Sequence, residues 1–187
     1  MPELPEVEVV KRSLEKKIQN LIIKNVKIND GNLRYKVDKQ KLLKLLGKKI
    51  KKIERRSKYL IFKISHTCAM LVHFGMTGKF FFFDNKNIKH KTSFFYAIND
   101  QKDFKYDRVT IIFKKNQKLV YNDIRKFGFI KFFNPNNDKK IFHLNKLGPE
   151  PLKEGYNLNY LIKYVLGKKR TIKDILMDQR CVSGLGN

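Results

Sequence analysis

Tryptophan is absent from these 187 residues, cysteine occurs twice, and Asp plus Glu number 17 against 42 Lys plus Arg. Each scarcity closes off a class of protein. Cys68 and Cys181 stand alone in their segments with no CxxC spacing, so the thiols of this chain cannot build a zinc site. Nor can they supply a disulfide framework, which fits a reducing, cytoplasmic setting. No apolar run approaches the roughly 20 residues that span a bilayer. No basic stretch leads into an apolar one at the start, as a secretory signal would require. The expectation is a soluble intracellular protein without a membrane partner.

What is present in excess is positive charge. The formal net charge is +25, with hydrophobic residues at 42%, enough for a packed core. Richness in lysine, asparagine and isoleucine partly reflects the base composition of the source genome. That does not explain why acidic residues are so few. A polyanion is the partner that relieves such self-repulsion, and nucleic acid is the commonest one.

The first ten residues, MPELPEVEVV, break the pattern with three glutamates and two prolines. From Pro5, the spacing of Val7, Val10, Leu14, Ile18 and Leu21 predicts an amphipathic helix. Pro5 suits a first helical turn, and Glu6 and Glu8 suit its positive end. A second short helix is predicted from Asp38, as N-cap, through Leu42, Leu43, Leu45 and Leu46 to Gly47. Runs rich in Ile, Val, Phe and Tyr predict strands at 21–28, 49–55, 58–64, 68–74, 79–83, 93–98, 108–114, 118–122 and 127–133. Beyond NPNN (134–137) and the Pro/Gly-bearing LNKLGPEPL, the pattern turns helical, from Asn157 and again over Thr171 to Met177. The fold class is therefore α+β: an antiparallel β-sandwich flanked by helices over 1–133, a linker over 134–156, and a helical segment over 157–187 that breaks off in a glycine-flanked turn.

Several residues invite chemistry. If Met1 is removed, Pro2 becomes a free secondary amine, and an α-amino group titrates near neutrality. Such an amine attacks an electrophilic carbon to give an iminium, with Glu3 beside it to move protons. From the residues alone, the simpler account is that Pro2 and Pro5 only organise the approach to the helix. Lys58, after Arg55 and Arg56, belongs to a cationic cluster that by itself reads as a solvated strand edge. HFGMTG (73–78) presents Met76 at a turn tip, and NDIRKFGF (122–129) presents Arg125 and Phe127. An apolar wedge, a cation and an aromatic are what opening a duplex and extruding a base require. For either turn alone, hairpin decoration is an equal alternative.

Taken together and in order, PELPEVE, SKYL, HFGMTG, RKFG, LGPEPL and IKDILMDQRCVSGLGN resemble the bacterial formamidopyrimidine-DNA glycosylases, which excise 8-oxoguanine and ring-opened purines. The resemblance covers essentially the whole chain. It implies a base-excision glycosylase with β-elimination lyase activity on damaged double-stranded DNA; a monomer is the default, since chemistry at one lesion requires no symmetry. It further implies that Pro2 is the nucleophile, that Glu3 donates a proton during sugar-ring opening, and that Glu6 supports that site. Lys58 would assist catalysis. Met76, Arg125 and Phe127 would fill the gap left by the flipped nucleotide. Lys169 and Asn187 would contact phosphates, Asn187 within a helix–two-turn–helix motif.

Three departures accompany the resemblance. KYDRV places Tyr106 and Arg108 where the family has two histidines; both can still meet a phosphate, Tyr106 by hydrogen bond and Arg108 by pairing. Ile124 replaces a usual proline, which would loosen the turn holding Arg125. The family's four-cysteine zinc finger is missing from this sequence, so no cofactor is expected here. Loss of the finger implies weak, salt-dependent DNA binding. The alternative to an active enzyme is a catalytically impaired fragment that binds damaged DNA.

Overall fold

The computed structural model describes residues 2–93, 104–136 and 141–186. Helix α1 (Leu4–Ile18) is followed by strand β1 (Ile23–Ile28) and the short helix α2 (Lys39–Leu43). Strands β2 (Lys52–Arg56), β3 (Tyr59–Ser65), β4 (Cys68–His73), β5 (Lys79–Phe83) and β6 (Lys89–Lys91) come next. After them lie β7 (Asp107–Phe113), β8 (Lys118–Asn122) and β9 (Phe129–Phe133). Helices α3 (Phe142–Asn145), α4 (Leu158–Val165) and α5 (Ile172–Met177) complete the order. The fold is α+β, with two antiparallel sheets ordered β1-β7-β8-β5-β6 and β2-β3-β4-β9.

Runs of apolar residues buried along the central strands explain the sandwich. Inward positions such as Phe62, Phe80, Leu119 and Tyr121 are essentially fully buried. Phe80 meets Phe62, Phe74 and Tyr121 edge-on at 5.3–5.8 Å between ring centroids. Each such ring contributes roughly 1.5–3 kcal/mol of burial. Helix α1 sends Val7, Val10, Leu14 and Ile18 into the same core and packs on β2 and β3. Leu21, counted with that helix from its spacing, lies past its end and packs against the core from the connection to β1. The predicted N-cap Asp38 accepts a backbone N–H three residues on, and Asn157 and Thr171 cap α4 and α5 in the same way.

Two elements lacked a sequence signal, β6 with its polar Lys-His-Lys and the four-residue α3 inside the linker. Of the predicted strand at 93–98, residues 94–98 lie outside the described residues.

Register determines where function can sit. Tyr59 pairs with His73, and His73 with Phe129. In the other sheet Asn122 pairs with Lys79 and with Asp107. The connections 57–58, 74–78, 104–106 and 123–128 therefore all emerge at one end of the sandwich. Two of them, 74–78 and 123–128, cross between the sheets there.

Candidate functional site

Glu3 is the N-cap of α1, with extended backbone, and its N–H donates to Glu6 Oε2 at 2.8 Å. Both carboxylates are thus anchored at the positive end of the helix. Pro2, half-buried, immediately precedes them. The start of the helix is also tied to the far end of the chain. Leu4 N–H donates to the Gly184 carbonyl at 3.3 Å, and a Cβ at Gly186 would overlap the Glu3 carboxylate. Across from Glu3 stands Lys58, only 5% exposed, with Nζ 3.9 Å from Glu3 Oε2. Burial pushes the Lys58 ammonium below the usual lysine range, against the opposing pull of Glu3 and Glu6. A chain start, two carboxylates and an amine of lowered basicity therefore converge. That arrangement suits proton transfer and cation stabilisation at a reacting centre.

The neighbouring arginines are not the solvated edge cluster that the sequence suggested. Arg55 grips Glu150 with both terminal nitrogens at 2.8 and 2.9 Å, and donates from Nε to Glu8 at 2.8 Å. Its Nη1 also reaches the Ser57 carbonyl at 3.0 Å, while Glu150 accepts the Ser57 N–H. Arg56 donates to the Gly148 carbonyl at 2.7 Å and to Ser183 Oγ at 3.1 Å. Ser57, buried and in the left-handed region at φ 54°, is clamped on both backbone groups. These contacts bind α1, the Lys58 turn and the linker into one unit. Glu150 is the functional-site residue that sequence reasoning missed. Its one signal was a lone acid in LGPEPL within so basic a chain.

The wedge residues lie on two interlocked turns. Met76 is 48% and Phe127 46% exposed. Arg125, also exposed, stacks its guanidinium 4.5 Å from the Phe127 ring centre. Gly75, at φ 60°, abuts the Phe127 backbone so closely that any side chain there would clash. Thr77 Oγ1 donates to Asp123 and accepts the Arg125 N–H at 3.0 Å. The other Asp123 oxygen accepts Gly128 N–H at 2.9 Å. Beneath them His73 Nδ1 accepts the Gly75 N–H at 3.1 Å, so the ring is neutral there. Burial, helped by the nearby cations, pushes its pKa down to about 4.

Tyr106 is half-buried at the same end, and its carbonyl accepts the Asp123 N–H at 3.1 Å. Arg108 does not fit the phosphate-pairing role expected of it. It is 6% exposed, and its guanidinium donates to the Asp123 carbonyl at 2.8 Å and to Asp30 at 2.8 Å. Lys169 is exposed between α4 and α5. Asn187 lies outside the described residues. Among the described residues no three His, Cys, Asp or Glu side chains group so as to hold a metal ion. No described helix is long and apolar enough to cross a membrane.

With this geometry in place, comparison with known proteins is direct. The family model for the formamidopyrimidine-DNA glycosylase N-terminal domain matches residues 1–130, and that for its H2TH domain matches residues 147–187. The formamidopyrimidine-DNA glycosylase of Rickettsia bellii (strain OSU 85-389) is 38% identical over all 187 residues. That of Wolbachia pipientis subsp. Culex pipiens (strain wPip) is 37% identical. The chain covers 63% of the length of each. A Lactococcus lactis Fpg in complex with abasic-site DNA superposes with a TM-score of 0.82 at 32% identity, over 100% of this chain and 64% of that one. Family-model matches across both parts of the chain, and relatives aligned from end to end of it, place it without ambiguity: this chain belongs to the formamidopyrimidine-DNA glycosylase family.

Proposed function

We propose that this chain carries the nucleophile-bearing part of a base-excision glycosylase that removes oxidised purines, 8-oxoguanine and formamidopyrimidines, from damaged double-stranded DNA. The observation that carries the reading is the pairing of Glu3 with the buried Lys58, 3.9 Å apart, beside Pro2. Once Met1 is removed, the Pro2 nitrogen bonds to C1′ of the lesion's sugar, the glycosidic bond breaks, and the base leaves with a proton. Glu3 protonates the ring oxygen as the C1′–O4′ bond opens, leaving a cationic iminium. Loss of a C2′ proton then expels the 3′ phosphate by β-elimination, and water hydrolyses the iminium to free Pro2. Glu6 orients Glu3 through the backbone, and Lys58 stabilises negative charge near the strand. In this reading Met76, Arg125 and Phe127 occupy the gap of the flipped nucleotide. Tyr106, Lys169 and Asn187 contact phosphates. The chemistry needs no cofactor, the working unit is a monomer, and the setting is the bacterial cytoplasm.

A second reading, a damaged-DNA binder with impaired turnover, is favoured by one observation. Leu158 and Ile162 on α4, which buries none of its residues, form with Leu166 just past its end an exposed apolar stripe. Borohydride trapping on a duplex with a single 8-oxoguanine or abasic site separates the two, after intact mass has verified loss of Met1. A covalent adduct that Pro2 acetylation abolishes supports catalysis. A folded, processed protein that binds the duplex but forms no adduct at low salt supports the binder.

A further inference from the structure

Arg108 is a cation removed from solvent in a protein whose other cations mostly reach it, and its contacts are specific. The guanidinium takes up three positions. Nε donates to the Asp123 carbonyl at 2.8 Å, Nη2 approaches the Ile124 carbonyl at 3.4 Å, and Nη1 pairs with Asp30 at 2.8 Å. Asp30 in turn holds Lys126 at 2.6 Å, and the backbone N–H of Asn29 donates to the Arg108 carbonyl at 3.0 Å. The two carbonyls so held are those immediately before Arg125. Lys126, immediately after it, sits in the left-handed region at φ 60°. The segment 123–128 is thus fixed on one side by Thr77 and the Asp123 carboxylate, and on the other by Arg108 and Asp30. Ile124 lacks the ring that would fix φ if the position were proline, so restraint of that peptide falls to the guanidinium.

We infer that Arg108, with Asp30, is a positioning pair that holds the turn carrying Arg125 and Phe127 in its projecting conformation, rather than a contact to DNA. The inference rests on the reading of Met76, Arg125 and Phe127 as the residues that replace a flipped nucleotide. Its structural half can be tested without DNA.

The experiment uses the full chain with Arg108→Gln and Arg108→Lys. Lysine keeps a charge beside Asp30 but cannot span all three acceptors. Hydrogen exchange of the 123–128 segment, followed by mass spectrometry on the free protein, is expected to accelerate about tenfold or more in Arg108→Gln and less in Arg108→Lys. Equilibrium binding to undamaged duplex is expected to stay at wild-type affinity and salt dependence. Single-turnover excision of 8-oxoguanine is expected to fall about tenfold or more, since misplacement by an ångström can cost about a hundredfold. Unchanged exchange in a folded Arg108→Gln protein overturns the inference. So does a parallel loss of undamaged-duplex affinity with a shallower salt slope, because that is the signature of a lost phosphate contact. If trapping and excision fail in the wild type too, the reading of function falls, while the exchange result still decides whether Arg108 holds the turn.

Discussion

The turn bearing Lys58 and the turn bearing Arg125 solve a similar problem in opposite directions. Each contains a non-glycine residue in the left-handed region, Ser57 at φ 54° and Lys126 at φ 60°, a conformation costing about 1–2 kcal/mol. Each is held by an arginine–carboxylate pair whose two members lie far apart in sequence, Arg55 with Glu150 and Arg108 with Asp30. The first pair is buried and bidentate, and it turns Lys58 inward, where lost hydration lowers its basicity. The second grips only backbone carbonyls and one acid, leaving Met76, Arg125 and Phe127 outward. A group whose protonation state matters is best kept dry and fixed. A group that must enter another molecule has to stay exposed, so only its backbone can be fixed.

The largest expected effect follows from the buried pair. Glu150→Ala removes the bidentate partner of Arg55, leaves the Ser57 N–H without its acceptor, and is expected to cost about 3 kcal/mol in urea unfolding. Because Glu8 still pairs with Arg55, the loss should fall short of complete unfolding. Lys58 in this variant is expected to acylate like a surface lysine, at lower pH-dependent protection than in the wild type. A Lys58 that stays protected would mean that the turn holds without Glu150, and the contrast between the two turns would weaken.

Next comes pH. His73 is held neutral at the junction of both turns, with its pKa lowered from 6.5 to about 4. Between those values the unfolded chain binds a proton that the folded protein does not, so stability rises with pH across the window. The gain is at most about 3 kcal/mol. Acid unfolding of His73→Asn is expected to show a flatter dependence between pH 4 and 6.5. An unchanged slope would assign the acid sensitivity elsewhere.

How much of this was legible in the residues differs between the two turns. The strands around them are short runs rich in Ile, Val, Phe and Tyr bounded by turn residues, so the sandwich followed from composition and punctuation, and β5 and β8 begin and end where the residues change character. Met76, Arg125 and Phe127 could be singled out because an exposed turn advertises its side chains by local composition. Glu150 and Arg108 could not be assigned their partners. Each acts on residues 95 positions away (Glu150 on Arg55) or across a sheet edge (Arg108 on Asp30), and no short-range spacing records such contacts. Arg108 was allowed a phosphate contact because it stands where the resemblance has a histidine, and nothing in the local sequence marks it as buried.

A smaller effect is expected on the exposed side. Asp30→Asn removes the charge shared by Arg108 and Lys126, at a cost of about 1.5 kcal/mol. The wild-type carboxyl is held below the usual range, chiefly by the Lys126 hydrogen bond. Urea titration of Asp30→Asn beside Glu150→Ala ranks the two supports directly. If Asp30→Asn proved the costlier, burial would not be what separates the turns.

The smallest stability change is expected at Met76, and it probes the comparison most sharply. Its side chain is about half exposed and its neighbours Gly75 and Thr77 supply the turn's backbone contacts. Met76→Ala should therefore leave the unfolding midpoint unchanged within about 0.5 kcal/mol. If the outward turn acts on DNA as a wedge, the same substitution should slow single-turnover excision of a paired lesion. It should scarcely affect processing of an abasic site, where no base has to be unstacked. A protein equally stable, equally active on abasic duplex and slower on 8-oxoguanine would separate the turn's work on DNA from its place in the fold. Equal rates on both substrates would leave Met76 as exposed surface and confine the function of this end of the sandwich to the Lys58 side.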